Sequence, residues 1–422
     1  MKKKKSFSFI FGIGIIILAF LGMASKPKAH IASKVEIVRL KNNHYQLLVN
    51  KKPYIVRGVC YSPIPIGSSY DYDFWSDANQ PWKTDGKMMK RIGINTVRFY
   101  SSGNDPIAVR KVISELYSLY GIRTIMGNWL GFWNYPAPFY SDPNFRNNIK
   151  REVLRMVREY KDEPGILFWV LGNENNYSFS GRVNPWPCPE AEKLTDPREQ
   201  IEVRARIYYS FINELAREIH RLDPNHPVVM GNGELMYLDI AKQYCPDIDI
   251  IGSVIYRGKT FGNIFRGLRN TFDKPLLLIE FGCDAYNAYT KKEDQENQSV
   301  FIISQWREIY KNIAGGPGEG NCLGGTIFEW NDEWWKHNDY DSKGWIQHDT
   351  ESNWSNGAYY FDIKVEGNKN MNEEWFGIVG LSPELQGGLN KRLPRKIYYM
   401  LGEFWKRPQR FITNAKESNR RK

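Results

Sequence analysis

Cysteine is scarce in this sequence, with five residues among 422 and no pair spaced as Cys-x-x-Cys. Without such a pair the sequence predicts no structural metal site. The number is odd, so at least one thiol has no disulfide partner within an exported chain. We therefore expect most of the cysteines to be buried as small hydrophobic side chains. The five cysteines are Cys60, Cys188, Cys245, Cys283 and Cys322.

Motifs for several ligand classes are also missing. No glycine-rich dinucleotide loop follows the first predicted strand, and no Arg-rich helix, finger or aromatic-and-basic motif indicates nucleic acid. Nothing in the sequence implies a metal, nucleotide or flavin cofactor. The formal net charge is +11, of which Lys2–Lys5 supply four. The modest remainder is compatible with a solvated surface, an anionic polysaccharide or a membrane surface.

Residues 1–24 have the pattern of an export signal. Lys2–Lys5 form a basic segment, Phe7–Leu21 is an almost unbroken apolar run, and the small residues Gly22 and Ala24 follow at positions that a signal peptidase reads. The run is also close to the length of a membrane-spanning helix, so an uncleaved anchor that tethers the chain to a membrane remains an alternative. In both cases we expect the rest of the chain to be periplasmic, secreted or held at the outer face of a membrane.

Between residues 46 and 405, short apolar runs alternate with amphipathic helical stretches, which is typical of βα units and a parallel sheet. The pattern predicts an α/β fold, a single (β/α)8 TIM barrel over residues 35–406. A β-hairpin over residues 46–59 precedes it, and a first barrel strand ends near Tyr61. The other predicted strands are Asn95–Tyr100, Ile122–Met126, Ile166–Leu171, Pro227–Met230, Ile248–Val254, Pro275–Ile279 and Gly325–Glu329.

The segments outside the predicted strands and helices are a linker over residues 25–34, two long insertions and a tail. The insertions follow strand four (175–197) and strand eight (331–393), on the face where TIM-barrel enzymes build their sites. The polar, basic residues 407–422 are expected to be a disordered tail.

Two of the predicted strands lead to the carboxylates that best suit a catalytic pair. Asn173 and Glu174 follow strand four, and Glu280 ends strand seven. Both strands end at the same rim of a narrow barrel, so these side chains are expected to meet there. A separation of about 5 Å would suit a retaining glycosidase, in which one carboxyl protonates the leaving oxygen while the other attacks. Three further carboxylates, Glu329, Asp332 and Glu333, are rivals at strand eight, but strands four and seven serve the pairing better.

Aromatic residues are abundant, with 14 Trp, 25 Tyr and 22 Phe. Large barrels bury many aromatic rings, but flat indole faces also stack well on sugar rings. Trp129 and Trp133 after strand three, and Trp186 in the first insertion, are therefore candidates for binding sugars.

Asn173-Glu174 after strand four and Glu280 at the end of strand seven resemble, in their order along the chain, the motifs of the clan A glycoside hydrolases. Arg57-Gly-Val59, the segment from Gly93 to Arg98 and Ile279-Glu-Phe-Gly282 are most similar to the TIM-barrel domain of glycoside hydrolase family 2. The first two of these segments are also similar to the β-1,3-glucanosyltransferases of family 72. The resemblance covers roughly residues 45–405.

The resemblance implies a role for each matching residue. Glu174 would be the general acid/base and Glu280 the nucleophile, while Asn173 would bind the sugar 2-hydroxyl. Arg98 would orient Glu280, Tyr256 would donate to it, and Trp330 would be the platform under the reacting sugar. Trp330 lies in the aromatic-rich segment Phe328–Trp335, so which ring of that segment faces the sugar stays open. A structural ion pair for Arg98 and a packing role for Tyr256 remain alternatives.

The sequence departs from family 2 in one respect. Members usually carry β-sandwich domains before the barrel, whereas here only the short segment 25–34 lies between the signal and the catalytic domain, so a galactoside or glucuronide substrate is not carried over. The leading hypothesis is a retaining hydrolase of β-glycosidic bonds in an extracytoplasmic poly- or oligosaccharide. A transglycosylase that remodels a β-glucan and a non-catalytic carbohydrate-binding barrel remain alternatives.

Overall fold

Residues 32–134, 137–181, 183–288, 290–337, 342–350 and 372–412 are described by the structure, a computed structural model. Their strands are β1 (Val35–Arg39), β2 (Tyr45–Val49), β3 (Lys52–Pro53), β4 (Val56–Cys60), β5 (Thr96–Phe99), β6 (Arg123–Asn128), β7 (Ile166–Leu171), β8 (Val228–Gly233), β9 (Ile250–Val254), β10 (Leu276–Phe281), β11 (Tyr286–Asn287), β12 (Lys292–Glu293), β13 (Cys322–Ile327), β14 (Val379–Gln386) and β15 (Leu389–Pro394). Their helices are α1 (Pro81–Ile92), α2 (Pro106–Tyr120), α3 (Pro143–Tyr160), α4 (Pro189–Glu192), α5 (Pro197–Leu222), α6 (Leu238–Tyr244), α7 (Ile264–Thr271), α8 (Gln295–Asn312) and α9 (Lys396–Lys406). The predicted export signal and most of the predicted linker and tail lie outside the described residues.

Eight parallel strands close into a barrel in the order β4-β5-β6-β7-β8-β9-β10-β13. The predicted TIM barrel is therefore confirmed. Strand four has the predicted bounds, Ile166–Leu171, and the other strands differ from the prediction by a few residues at their ends. The largest difference concerns strand eight, which begins at Cys322 and ends at Ile327, so residues 328–335 already belong to the rim.

Three of the barrel helices begin at an Asp-Pro dipeptide. Asp105, Asp142 and Asp196 precede α2, α3 and α5, and each side chain accepts a hydrogen bond from a backbone N–H of the first turn. The following proline is suited to that turn because its ring fixes a helical φ and it has no N–H that would go unsatisfied. These residues fix where each helix leaves the rim of the barrel.

A small three-stranded sheet closes the end of the barrel at which its strands begin. The predicted hairpin is confirmed as β2 and β3, but these strands pair over only two residues, and β2 pairs along its whole length with β1. Hydrogen bonds tie the sheet to carbonyls that precede three barrel strands: Ser33 Oγ to Pro164, Val35 N to Asn225 and Tyr45 Oη to Asp273. Side chains of β1 and β2 share one apolar cluster with the interior of the barrel.

The insertions after strands four and eight lie at the opposite end. The first contains a short 3-10 helix (Asn175–Ser180) and α4. The described part of the second contains 3-10 turns and an antiparallel hairpin, β14–β15, that the sequence did not predict. Arg392 of β15 joins the hairpin to the barrel through a buried ion pair with Asp85 of α1.

Two further observations bear on the ends of the chain and on the cysteines. Residues 408–412 are helical, and Phe411 packs against Phe404, so the first residues of the predicted tail are ordered on the barrel. All five cysteines are buried, which agrees with the expectation that most of them would be. Among the described helices, none has the length and hydropathy needed to cross a membrane.

We predict that Leu47→Ala lowers the free energy of unfolding by about 2–5 kcal/mol, because it opens a cavity in the apolar seal of the barrel. Leu47 is 1% exposed, whereas Leu119, on α2, is 48% exposed. Leu119→Ala is therefore a matched control, expected to change stability by no more than about 0.5 kcal/mol. Denaturant unfolding of the two variants measures the difference, and equal effects would contradict the assigned role of the sheet.

Candidate active site

Glu280, near the end of β10, accepts three hydrogen bonds from side chains that lie on β5 or just after β5 and β9. Arg98 Nη1 and the Tyr100 hydroxyl donate to Oε1 at 3.0 and 2.8 Å, and the Tyr256 hydroxyl donates to Oε2 at 3.1 Å. Glu280 itself is only 6% exposed. The carboxylate is therefore fixed in one orientation, and the guanidinium compensates its charge.

Arg98 also connects Glu280 to the end of strand four. Its Nη2 donates to Asn173 Oδ1 at 2.7 Å. Because a guanidinium only donates, this bond fixes the orientation of the Asn173 amide. The Nδ2 group of Asn173 makes no hydrogen bond with the described residues, so it is the donor that remains for a ligand. The predicted set Arg98, Asn173, Glu280 and Tyr256 is thus brought together.

Glu174 stands at a sharp turn directly after β7. Gly172 has φ +76° and leaves no room for a Cβ, which would lie 2.4 Å from the Tyr208 hydroxyl. Glu174 itself adopts a left-handed backbone conformation, φ 59° and ψ 14°. A non-glycine residue in this region is strained by about 1–2 kcal/mol, and such strain is concentrated at functional sites. The turn directs the side chain of Glu174 to the rim that Glu280 occupies.

The environment of Glu174 favours its protonated form. Burial first, and then the negative charges of Glu280 and Glu373, raise the pKa of this carboxyl to about 8, although Arg98 and Lys336 act in the opposite direction. Part of the side chain still reaches solvent, so a ligand can approach it. The two carboxyls of the rim therefore differ: one is surrounded by donors and a cation, and the other is held as a neutral acid near pH 7.

The candidate sugar-binding tryptophans have different environments. Trp129 is partly exposed and stacks on Tyr100, with ring centroids 5.0 Å apart and an interplanar angle of 10°. Trp133 is 61% exposed and meets Trp129 edge to face. Trp129 therefore lies beside Tyr100, which donates to Glu280, and Trp133 lies next to Trp129; both rings are available to a ligand. Trp186 is instead buried, where it packs against Tyr140, so its candidacy is wrong.

Trp330 is not placed as the resemblance implied. Its side chain is fully buried and packs against Tyr398 of α9, so no indole face is open to a sugar. Strand eight ends at Ile327, three residues before Trp330, and the aromatic ring at the rim is that of Phe328. This ring meets Tyr256 edge to face at 6.5 Å. Phe328, beside the tyrosine that donates to Glu280, is therefore the strand-eight ring that lies where the resemblance implies Trp330.

The rival carboxylates of strand eight are buried in polar networks. Both oxygens of Asp332 accept hydrogen bonds from Arg395, at 2.6 and 2.7 Å. Glu333 forms an ion pair with Lys336 at 2.5 Å. Burial and the charge of Glu333 raise the pKa of Glu329, which is 1% exposed. Among the described residues, no cluster of three or more His, Cys, Asp or Glu side chains has an arrangement that would hold a metal.

Three residues near the site were missed by the sequence analysis. Tyr100 lies two positions after Arg98, and alternation along a strand places both side chains on one face, so it was detectable. Lys336 and Glu373 come from the strand-eight insertion and form an ion pair beside the carboxyls. They are 37 positions apart, and no local pattern links them.

We predict that Glu280→Gln lowers the pKa of Glu174 from about 8, because the charge of Glu280 is the largest contribution after burial. A pH titration of carbon-13-labelled glutamate side chains by NMR measures this pKa, with Glu174→Gln used to assign the signal. Glu403→Gln is the control, since Glu403 is exposed on α9. An unchanged titration of Glu174 in Glu280→Gln would show that the two carboxyls do not interact.

Comparison with known proteins agrees with this fold. Residues 38–312 match the family profile described as glycosyl hydrolases family 2, TIM barrel domain. Mannan endo-1,4-beta-mannosidase 1 of Solanum lycopersicum is 25% identical over 211 residues, which are 45% of this chain and 50% of that protein. A beta-galactosidase of Leuconostoc mesenteroides is 27% identical over 173 residues, 40% of this chain and 15% of that protein. The chain spans about half or less of the length of these relatives.

Solved structures resemble the barrel as well. The beta-glucuronidase of Bifidobacterium dentium, complexed with coumarin-3-O-glucuronide, has a TM-score of 0.55 at 17% identity and covers 89% of this chain and 49% of its own. A GH2 beta-galacturonidase of Eisenbergiella tayi, bound to galacturonate, has a TM-score of 0.54 at 16% identity, with 89% and 54% covered. At this identity the likeness concerns the fold. Because the family profile matches more than half of the chain, the chain belongs to glycoside hydrolase family 2 through its TIM barrel domain.

Proposed function

We propose that the chain is a retaining glycoside hydrolase that cleaves β-glycosidic bonds of an extracytoplasmic poly- or oligosaccharide. The observation that carries the proposal is the contrast between two carboxyls at one rim. Glu280 accepts three hydrogen bonds and is paired with Arg98. The pKa of Glu174, in contrast, is raised by burial and by Glu280 to about 8. Double displacement needs one carboxyl that attacks and one that donates a proton.

In the proposed first step, a carboxylate oxygen of Glu280 bonds to the anomeric carbon while the bond from that carbon to the leaving oxygen breaks. Glu174 gives its proton to the leaving oxygen. In the second step Glu174 takes a proton from water, the water oxygen bonds to the anomeric carbon, and Glu280 is released. Asn173 Nδ2 is the donor for the sugar 2-hydroxyl, and Arg98 and Tyr256 hold Glu280 in line.

The names of the relatives support a β-linked glycan as the substrate class. The curated relatives include several mannan endo-1,4-beta-mannosidases and a beta-galactosidase, and the similar structures include beta-glucuronidases and beta-galacturonidases. All of these names denote β-linked sugars, although the sugars themselves differ. The exposed ring of Trp133, beside Trp129, is consistent with a chain of several sugar units that extends past the reacting one.

We predict that Glu174→Ala lowers kcat/KM on β-linked oligosaccharides by about 10²–10⁴-fold, because general acid catalysis is lost. Activity should persist best on aryl glycosides with good leaving groups, which need no proton, and azide should restore turnover. Glu280→Gln should abolish turnover on every substrate. Proton NMR of the first product should show the β-anomer before mutarotation. In the wild type, activity should fall as the pH rises through about 8, where Glu174 loses its proton.

The same assays decide between this function and its alternatives. Products longer than the donor, found by mass spectrometry, would identify a transglycosylase. Glu403→Gln is the control carboxyl variant, since Glu403 is exposed on α9, and it should retain the leaving-group dependence of the wild type. If Glu280→Gln leaves both sugar binding and biological activity unchanged, the chain is a carbohydrate-binding barrel and no hydrolase. An α-anomer as first product would exclude double displacement.

We also propose that the chain is exported, on the basis of residues 1–24 alone. The four lysines followed by the apolar run Phe7–Leu21 have the pattern of a signal peptide. Expression of the full chain in a secreting host should give a product outside the cytoplasm, and N-terminal sequencing should find Ser25 first if the signal is cleaved. Replacement of Leu18 and Leu21 by Glu should keep the chain inside. Unaltered export of that variant would exclude this segment as the signal.

A further inference from the structure

Beside the catalytic carboxyls lies a lysine whose charge is held by acidic residues. Lys336 belongs to the 3-10 turn Trp334–His337 after strand eight and is 8% exposed. Its Nζ forms ion pairs with Glu333, at 2.5 Å, and with Glu373. It also lies 4.9 Å from the ring centroid of Phe328. The ammonium group is thus enclosed by two carboxylates and an aromatic face.

This Lys336–Glu373 pair is part of the wall of the active site. Phe328, which it covers, meets Tyr256, and Tyr256 donates a hydrogen bond to Glu280. The charges of Lys336 and Glu373 both act on Glu174, and the charge of Glu373 also acts on Tyr256. The carboxylate of Glu373 is 24% exposed, more than those of Glu333 and Glu280. A sugar bound between Glu174 and Glu280 would therefore lie near Glu373.

Among the described side chains, the balance of charge in this wall is negative. Among its described side chains, the cations are Arg98 and Lys336, and both already face carboxylates. Burial alone would lower the pKa of Lys336, but the charges of Glu333 and Glu373 outweigh it and raise this pKa. A uronate carboxylate placed here would add a negative charge next to Glu373 and would have to compete with it for Lys336. Like charges in such a site disfavour a ligand strongly.

We propose, on the basis of the function proposed above, that the Lys336–Glu373 pair selects an uncharged sugar, with Glu373 as an acceptor for its hydroxyl groups. The substrate class is then a neutral β-linked glycan, and β-linked uronic acids are excluded. Glu373 acts as a specificity residue in two ways. Its remaining lone pairs accept hydrogen bonds from hydroxyl groups, and its charge, together with that of Glu333, neutralises Lys336, which would otherwise attract a carboxylate.

The test uses pairs of β-linked oligosaccharides that differ only at C6, where one member has a hydroxymethyl group and the other a carboxylate. β-1,4-mannan and β-1,4-mannuronate oligosaccharides form one such pair, and aryl β-glucoside and β-glucuronide form another. For the full chain, we expect kcat/KM to be lower for the uronate member by about 10²-fold or more. If the wild type hydrolyses one of these pairs and has the higher kcat/KM for its uronate member, the proposal is wrong.

Two variants separate a role in specificity from a structural role. Glu373→Gln keeps the shape of the side chain but removes one of the two carboxylate charges that face Lys336. The ratio of kcat/KM between the neutral and the uronate member should therefore narrow by about tenfold or more. Glu384→Gln is the matched control, because Glu384 also pairs with a lysine, Lys391, but on the exposed hairpin β14–β15. This control should leave the ratio unchanged. A Glu373→Gln variant that loses activity on both members equally would contradict the proposal.

Binding distinguishes the failure of this inference from the failure of the proposed function. Calorimetry with Glu280→Gln measures the affinity for both members of each pair without turnover. Tighter binding of the neutral member supports the inference, and equal or tighter binding of the uronate member overturns it. A lack of hydrolysis for every member in the wild type would count against the proposed function alone, because the affinity ratio remains measurable.

Discussion

The geometry of the candidate active site depends on the hydrogen bonds that the buried guanidinium of Arg98 donates to Glu280 and Asn173. The Arg98 side chain reaches from β5 to Glu280 on β10 and to Asn173 after β7, and it is 1% exposed. A charge at this depth is tolerated only when partners compensate it, and removing one member of such a pair leaves the other uncompensated at a cost of about 3–5 kcal/mol. The geometry of the rim and its balance of charge are therefore set by the same contacts.

The two ends of the barrel differ in composition and in their effect on stability. At one end, β1 and β2 fill the opening with apolar side chains and supply hydrogen-bond donors to carbonyls that precede the barrel strands. At the other end, carboxylates, a strained turn and buried cations crowd together, none of which favours folding. The apolar contacts at the first end therefore stabilise the fold against the unfavourable groups at the second end. In TIM barrels generally, one face of the barrel serves stability and the opposite face carries the active site.

Most of the fold could be predicted from the sequence because residues that begin helices agreed with the alternation of apolar runs and amphipathic stretches. Asp-Pro dipeptides mark the starts of α2, α3 and α5, and each barrel strand is a short apolar run. Glu174 and Glu280 were found for the same reason, since each follows or ends such a run. Trp330 was misplaced because strand eight ends at Ile327, earlier than its apolar run suggested. Contacts between distant loops, such as Lys336 with Glu373, depend on tertiary structure that no local pattern encodes.

The left-handed conformation of Glu174 has a consequence for how the chain tolerates change. Glycine adopts this conformation without steric cost, and it would also remove a carboxyl whose charge is opposed by burial and by Glu280. Replacement by glycine would therefore make the molecule harder to unfold while it removes the proposed acid. Selection for heat resistance alone would favour this replacement, and under the proposed function selection for turnover keeps the glutamate there.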